Sequence, residues 1–189
     1  VAIDVFKQSK ANTVGVVEAV TKEIGKLRSE LPPSVEIQLV RDGSIMINGG
    51  LAHILPDVLK QMKDFGIDPA KLKKILILHS HFDHIGVIPW FRRNWPAIEV
   101  HGSAETWRIL QMQKAIDIAN QFSKIVADKM GLGAALQGVD FAWRDDITGK
   151  TVGEGDRIDL GGAILNILYT PGHTHCSITA YEPNLKALF

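Results

Sequence analysis

The sequence predicts an α/β fold, and three observations carry that prediction. An apolar run, Ile75 to Leu78, leads directly into His79-Ser80-His81-Phe82-Asp83-His84, the pattern of a buried strand that delivers side chains to a loop. As far as Met130, stretches with apolar residues at three- and four-residue spacing alternate with short β-branched runs, as helices covering a sheet require. Past Trp143 the helical period is lost. Arg157 to Leu160 and Ala163 to Tyr169 flank a Gly161-Gly162 turn and read as a hairpin, followed by strands at Ser177 to Tyr181 and Leu185 to Phe189.

Taken in order, Val1 to Phe6 alternates as a strand. Asn12 or Thr13 caps a helix whose apolar face is Val14, Val17, Val20, Ile24, Leu27 and Leu31. Pro32-Pro33 stops that helix, and Val35, Ile37 and Leu39 form a second strand, so the first 41 residues read as one β-α-β unit. Ser44 to Ile47 is a short strand ending in Asn48-Gly49-Gly50. Ile54 to Phe65 is a helix with Ile54, Val58, Leu59 and Met62 inward, ended by Gly66. Asp68-Pro69-Ala70 opens a short turn before the Ile75 to Leu78 strand. Gly86 to Asn94 is expected as a helix with Trp90 and Phe91 inward and Arg92 and Arg93 in solvent, and Ile98 to His101 as a strand. Ser103 to Met130 reads as a long helical stretch broken once, and Gly131, Gly133 and Gly138 mark a turning segment without phosphate-loop spacing.

Composition narrows the function. Net charge is zero, which gives no electrostatic case for nucleic acid or an anionic membrane. The single cysteine, Cys176, excludes an internal disulfide framework and fits a reducing, cytoplasmic compartment. No apolar run approaches the ~20 residues of a membrane span, and the N-terminus lacks a signal-peptide pattern. The chain opens at Val1 without a methionine, which leaves room for a preceding segment.

The chemistry concentrates in one window. Three of the seven histidines fall between residues 79 and 84, next to an aspartate. Side chains alternate along extended backbone, so His79 and His81 can aim at one point. Asp83 and His84 follow where the chain turns, and they can face a second point nearby. Imidazole with carboxylate suits zinc, iron or manganese. Two adjacent ions could share and activate one water. Other candidates read as structural. His53 is expected at the surface or as a cap, Arg92 and Arg93 as a solvated helix end, and Asp145 and Asp146 as a surface turn.

His79-Ser80-His81-Phe82-Asp83-His84 resembles the signature motif of the metallo-β-lactamase superfamily. Thr170-Pro171-Gly172-His173-Thr174 resembles that family's T-P-G-H-T segment, in the order the family uses. The resemblance covers about residues 45–189 and implies an αβ/βα sandwich, here incomplete, preceded by the N-terminal β-α-β segment. It implies a first metal site of His79, His81 and His173, and a second begun by Asp83 and His84. The family's later bridging aspartate and last histidine would fall beyond Phe189. It also implies Asp83 as the residue that orients or deprotonates the attacking water, with one or two zinc ions as cofactor and iron or manganese as alternatives. Asn48 stands where the family often has an aspartate that supports the metal loop, and His175 and Cys176 stand where it has small residues. The implied activity is metal-assisted hydrolysis of a small-molecule ester, thioester, amide or phosphodiester. A diiron redox role would call for a glutamate in the first loop. Residues 1–47 are different: V-F-K-Q-S-K-A-N-T-V and E-L-P-P-S-V-E-I-Q-L-V-R-D resemble a porter-subdomain segment of resistance-nodulation-division efflux transporters, periplasmic in its own family. That divides the chain into 1–44 and 45–189 with a join near residues 41–48. An inactive chimeric fragment is the alternative function. Missing terminal strands would leave sheet edges open to self-association.

Overall fold

The computed structural model describes residues 44–189, apart from Gly162, together with Lys22 and Lys26. Lys22 and Lys26 are helical and exposed. The rest of the expected N-terminal β-α-β unit lies outside the described residues.

Two four-stranded sheets form the frame. The first is parallel, in the order β1 (Ser44–Ile47), β2 (Leu72–Leu76), β3 (Glu99–Gly102), β4 (Lys150–Thr151). The second is antiparallel, in the order β5 (Arg157–Asp159), β6 (Ile164–Tyr169), β7 (Ile178–Glu182), β8 (Ala187–Leu188). Five helices connect the parallel strands: α1 (Leu55–Asp64), α2 (Phe82–Ile85), α3 (Ile88–Asn94), α4 (Ala104–Leu110) and α5 (Gln113–Lys129).

Two apolar cores follow from the strand periods. Ile75, Ile77 and Val100 face the helices and pack with Leu55, Ile88, Phe91, Trp107, Leu110 and Ile116. Leu76 faces the other way and meets Ile158, Leu165, Ile167, Ile178 and Ala180 of the second sheet. The end of β2 and the residues that continue it are covered on both faces, which is why Ile75 to Leu78 is an unbroken apolar run. All helices that reach a core pack on the first sheet. Among the described residues the outer face of the second sheet carries none, so the expected sandwich is seen as three layers.

Local chemistry sets the element ends. Gly66, at φ +65°, ends α1. Ser103 Oγ accepts the Thr106 amide at 3.1 Å and caps α4. The long helical stretch breaks at Gln111-Met112, between α4 and α5.

Three expectations change. The helix expected from Gly86 to Asn94 starts instead at Ile88, as α3, with Pro89 in its first turn, and a separate short helix, α2, precedes Gly86. His53 is buried in a short 3-10 turn (Ala52–Ile54) under α5, not at the surface. Arg93 is not a solvated helix end. Its guanidinium donates to the Ala142 carbonyl at 2.8 Å and pairs with Asp146 at 3.2 Å, pinning the segment that carries the buried Trp143.

Candidate metal centre

The centre is built where β2 runs out at the end of the first sheet. Ile77 N donates to the His101 carbonyl at 2.8 Å, which keeps the backbone extended past the strand. Leu78 N donates to Asn48 Oδ1 at 2.9 Å, and the Leu78 carbonyl accepts Ile178 N from the second sheet at 2.9 Å. The loop that follows is therefore fixed from both sheets before its first histidine.

Asn48 reaches that position from a left-handed backbone, φ +60°, which asparagine tolerates better than most residues. Its own amide donates to the Leu76 carbonyl at 2.8 Å. Next to it, Gly49 N donates to the His84 carbonyl, and Gly86 N donates to the Gly50 carbonyl at 2.7 Å. The Asn48-Gly49-Gly50 turn thus clamps both ends of the segment carrying His84. A side chain at Gly86 would run into the backbone of Gly50, Leu51 and Ala52, which explains the glycine there.

The second loop leaves β6. Thr170 N donates to the Ser177 carbonyl at 3.1 Å and Gly172 N to the Thr174 carbonyl at 3.3 Å, folding Thr170 to Ser177 into a tight turn that presents His173. The Tyr169 hydroxyl donates to the His175 carbonyl at 2.8 Å. His175 itself is exposed at the rim.

These loops bring His79, His81 and His173 together, with one ring nitrogen of each lying within 4.8 Å of the others. His173 Nε2 and His81 Nδ1 are 3.1 Å apart. Two imidazole nitrogens on one tetrahedral zinc would be about 3.3 Å apart, so this pair already has the required spacing. His79 is buried, and its Nε2 has no hydrogen-bond partner. An unpartnered buried nitrogen facing two other imidazoles is costly without a ligand. The donor set is borderline-soft and neutral, which suits zinc and its neighbours.

Electrostatics act the same way. Burial, and then the neighbouring His84, His81 and His173 rings, push the His79 pKa down to about 4. Its lone pair is free at neutral pH. Burial likewise lowers His84. The His84 ring lies against His79, centroids 3.8 Å apart, and its Nε2 is 3.7 Å from Asp83 Oδ2. Asp83 is half exposed beside the cluster. The converging set among the described residues is thus the three histidines, with Asp83 and His84 flanking it.

Some features lay beyond sequence reasoning. Cys176 is fully buried between the two histidine-bearing loops, with Sγ 3.4 Å from Ser80 N and Oγ and 3.1 Å from Thr174 Oγ1. Burial alone would raise the thiol pKa, but the hydrogen bonds from Ser80 and Thr174 outweigh it and the net shift is downward. The signal in the sequence was the pair of hydroxyl residues, Ser80 and Thr174, each directly beside a histidine of the cluster. His101 is buried on β3, its Nε2 3.4 Å from Glu99 Oε2 but without hydrogen-bond geometry. Burial lowers its pKa. Nothing in the local sequence marks that histidine as buried.

Comparison with known proteins places this geometry. The chain is 25% identical over 118 residues to a hydroxyacylglutathione hydrolase of Legionella pneumophila, covering 62% of this chain and 32% of that protein. It is 27% identical over 150 residues to the probable metallo-hydrolase YqgX of Bacillus subtilis, covering 76% of this chain and 57% of that one. The chain therefore spans roughly a third to just over half of the length of these relatives. Among solved structures, the metallo-β-lactamase GOB-18 of Elizabethkingia meningoseptica superposes with a TM-score of 0.58 at 22% identity, over 76% of this chain and 47% of that one. The FEZ-1 metallo-β-lactamase of Legionella gormanii gives a TM-score of 0.54 at 25% identity, over 76% and 49%. At these identities the structural likeness is one of fold. The transporter resemblance of the N-terminal segment finds no support among these matches. A profile of the metallo-beta-lactamase superfamily matches residues 33–189, most of the chain, and the protein belongs to that superfamily.

Proposed function

We propose that this chain is a metal-dependent hydrolase whose centre is held by His79, His81 and His173. The observation that carries the proposal is the convergence of three imidazoles around the buried, unpartnered Nε2 of His79. An ion of the zinc class held there supplies Lewis acidity and a water nucleophile at neutral pH. His79 contributes a neutral nitrogen because burial disfavours its protonation. His81 and His173 contribute theirs from two loops anchored to different sheets. Asp83 is the group that orients the attacking water and takes its proton; its Oδ2 lies 3.7 Å from Nε2 of the His84 ring, which in turn packs on His79. Asp83 and His84 also begin a second ion position. The substrate is a small molecule with an ester, thioester, amide or phosphodiester bond. The sequence relatives named for hydroxyacylglutathione make thioesters the first class to screen. No observation favours a non-catalytic reading.

Elemental mass spectrometry on the purified chain tests the proposal. Stoichiometric zinc, iron or manganese is expected, lost in His81→Ala and in His173→Ala together with thioester hydrolysis. Unchanged metal content in His81→Ala would overturn it. In Asp83→Asn, a kcat loss of about 10²-fold is expected while the three-histidine ion is retained.

A further inference from the structure

The two ligand loops meet at a side chain that plays no part in the proposed reaction. Cys176 is fully buried. Its Sγ lies 3.4 Å from both the amide and the hydroxyl of Ser80, the residue between His79 and His81. The same sulfur lies 3.1 Å from Thr174 Oγ1, next to His173. The Cys176 carbonyl accepts Ser103 Oγ at 2.8 Å, which ties the junction to the N-terminus of α4. Thr174 Oγ1 also reaches Ser177 Oγ at 2.7 Å. One residue therefore links the segment that carries two ligands, the segment that carries the third, and the helix cap behind them. The independent sign that this junction serves a ligand is His79 Nε2, buried and without a partner, facing His81 and His173.

We propose that Cys176 is a positioning residue for the metal centre: through its sulfur contacts to Ser80 and Thr174 it sets the separation of the His79–His81 pair from His173. This rests on the metal-centre reading above. The sulfur is a weak acceptor, but it is large and polarisable, and it fills the gap between two backbones while still accepting an amide. A smaller side chain would leave Ser80 N, a buried donor, without its partner and would let the loops drift apart. Partners of this kind, which orient metal ligands without touching the metal, change affinity by about 10- to 100-fold when removed.

The test compares zinc affinity, by competition with a chromophoric chelator, for the unaltered chain, Cys176→Ala, Cys176→Ser and Ser80→Ala. Melting of each metal-stripped sample and the cobalt(II) absorption spectrum are recorded alongside. Cys176→Ala should weaken zinc binding by about 10-fold or more and alter the cobalt band, with the melting temperature of the stripped protein nearly unchanged. Cys176→Ser, which keeps an acceptor, should recover most of the affinity. Ser80→Ala, which keeps the amide contact, should lose less than Cys176→Ala. If Cys176→Ala does not fold, Cys176→Val, which fills the space without accepting the Ser80 amide, decides: an altered cobalt band and weaker zinc binding with intact folding support the proposal, and a band and affinity like those of the unaltered chain overturn it. Zinc affinity within twofold of the unaltered chain in Cys176→Ala also overturns it. Failure of the unaltered chain to bind zinc, cobalt or iron would instead remove the metal-centre reading itself, and His81→Ala run in parallel tells the two failures apart.

Discussion

At His79, burial and charge act together. The folded-state pKa of about 4 lies below the ordinary histidine value, so between those two pH values the unfolded chain binds a proton that the folded chain refuses. Stability of the metal-stripped protein from this group is therefore complete above the unfolded pKa and falls as the pH drops through that window. The loss is on the order of 3 kcal/mol. Urea titrations from pH 7.5 to 4 should show it, and His79→Gln should flatten the slope. Burial of His84 and His101 adds in the same direction. The clustering of His79 and His81 was readable in the sequence because alternation along an extended backbone constrains neighbours locally. His53, His101 and Cys176 were not, because each owes its burial to elements distant in the chain: α5 for His53, β2 and β4 for His101, and Ser80 for Cys176.

Elements here are positioned by a few close approaches. Gly86 joins α2 to α3 with ordinary helical backbone angles, yet an added Cβ would lie 2.6 Å from the Leu51 carbonyl carbon and 2.7 Å from Gly50 O. Those are backbone atoms and cannot swing aside. Gly86→Ala should cost about 3 kcal/mol and disturb metal binding through the Asn48 turn. Gly66→Ala is the contrast: it has open space but a left-handed φ, so it should cost only about 1 kcal/mol and leave metal binding alone. Thermal melts with metal titration separate the two. Arg93→Met should cost about 1–2 kcal/mol by releasing the Asp140 to Asp146 segment from α3, seen as faster hydrogen exchange around Trp143. The helices and the C-terminal hairpin were legible from period and turn residues. The separate turn of helix before Gly86, the later start of α3 and the anchoring role of Arg93 were not, since apolar periodicity runs on through Gly86 and a guanidinium at a helix end reads as solvated until its partners, some 50 positions later, are known.

At the scale of the molecule, the two sheets enclose one core, and among the described residues the second keeps an uncovered side. Leu168, Tyr181 and Leu188 alternate with the inward residues of their strands and face away from that core; Leu188 is 65% exposed. Concentration-dependent self-association is expected for this chain by light scattering, reduced in Leu188→Lys. No helix among the described residues is long and apolar enough to cross a membrane. The α/β class was legible because layered folds impose their periods on sequence. The division into a parallel and an antiparallel sheet was only half legible, since strand direction depends on connections that periodicity does not encode. The loops holding the three histidines come from different sheets, and His81 and His173 stand 92 positions apart. An ion gripping both would act as a reversible cross-link, closing a ring of chain about as large as a long-range disulfide does. The entropy it removes from the unfolded chain is worth about 4–5 kcal/mol. In a chain whose one cysteine can form no internal disulfide, such an ion would double as a staple, and chelation would loosen the whole sandwich along with the site.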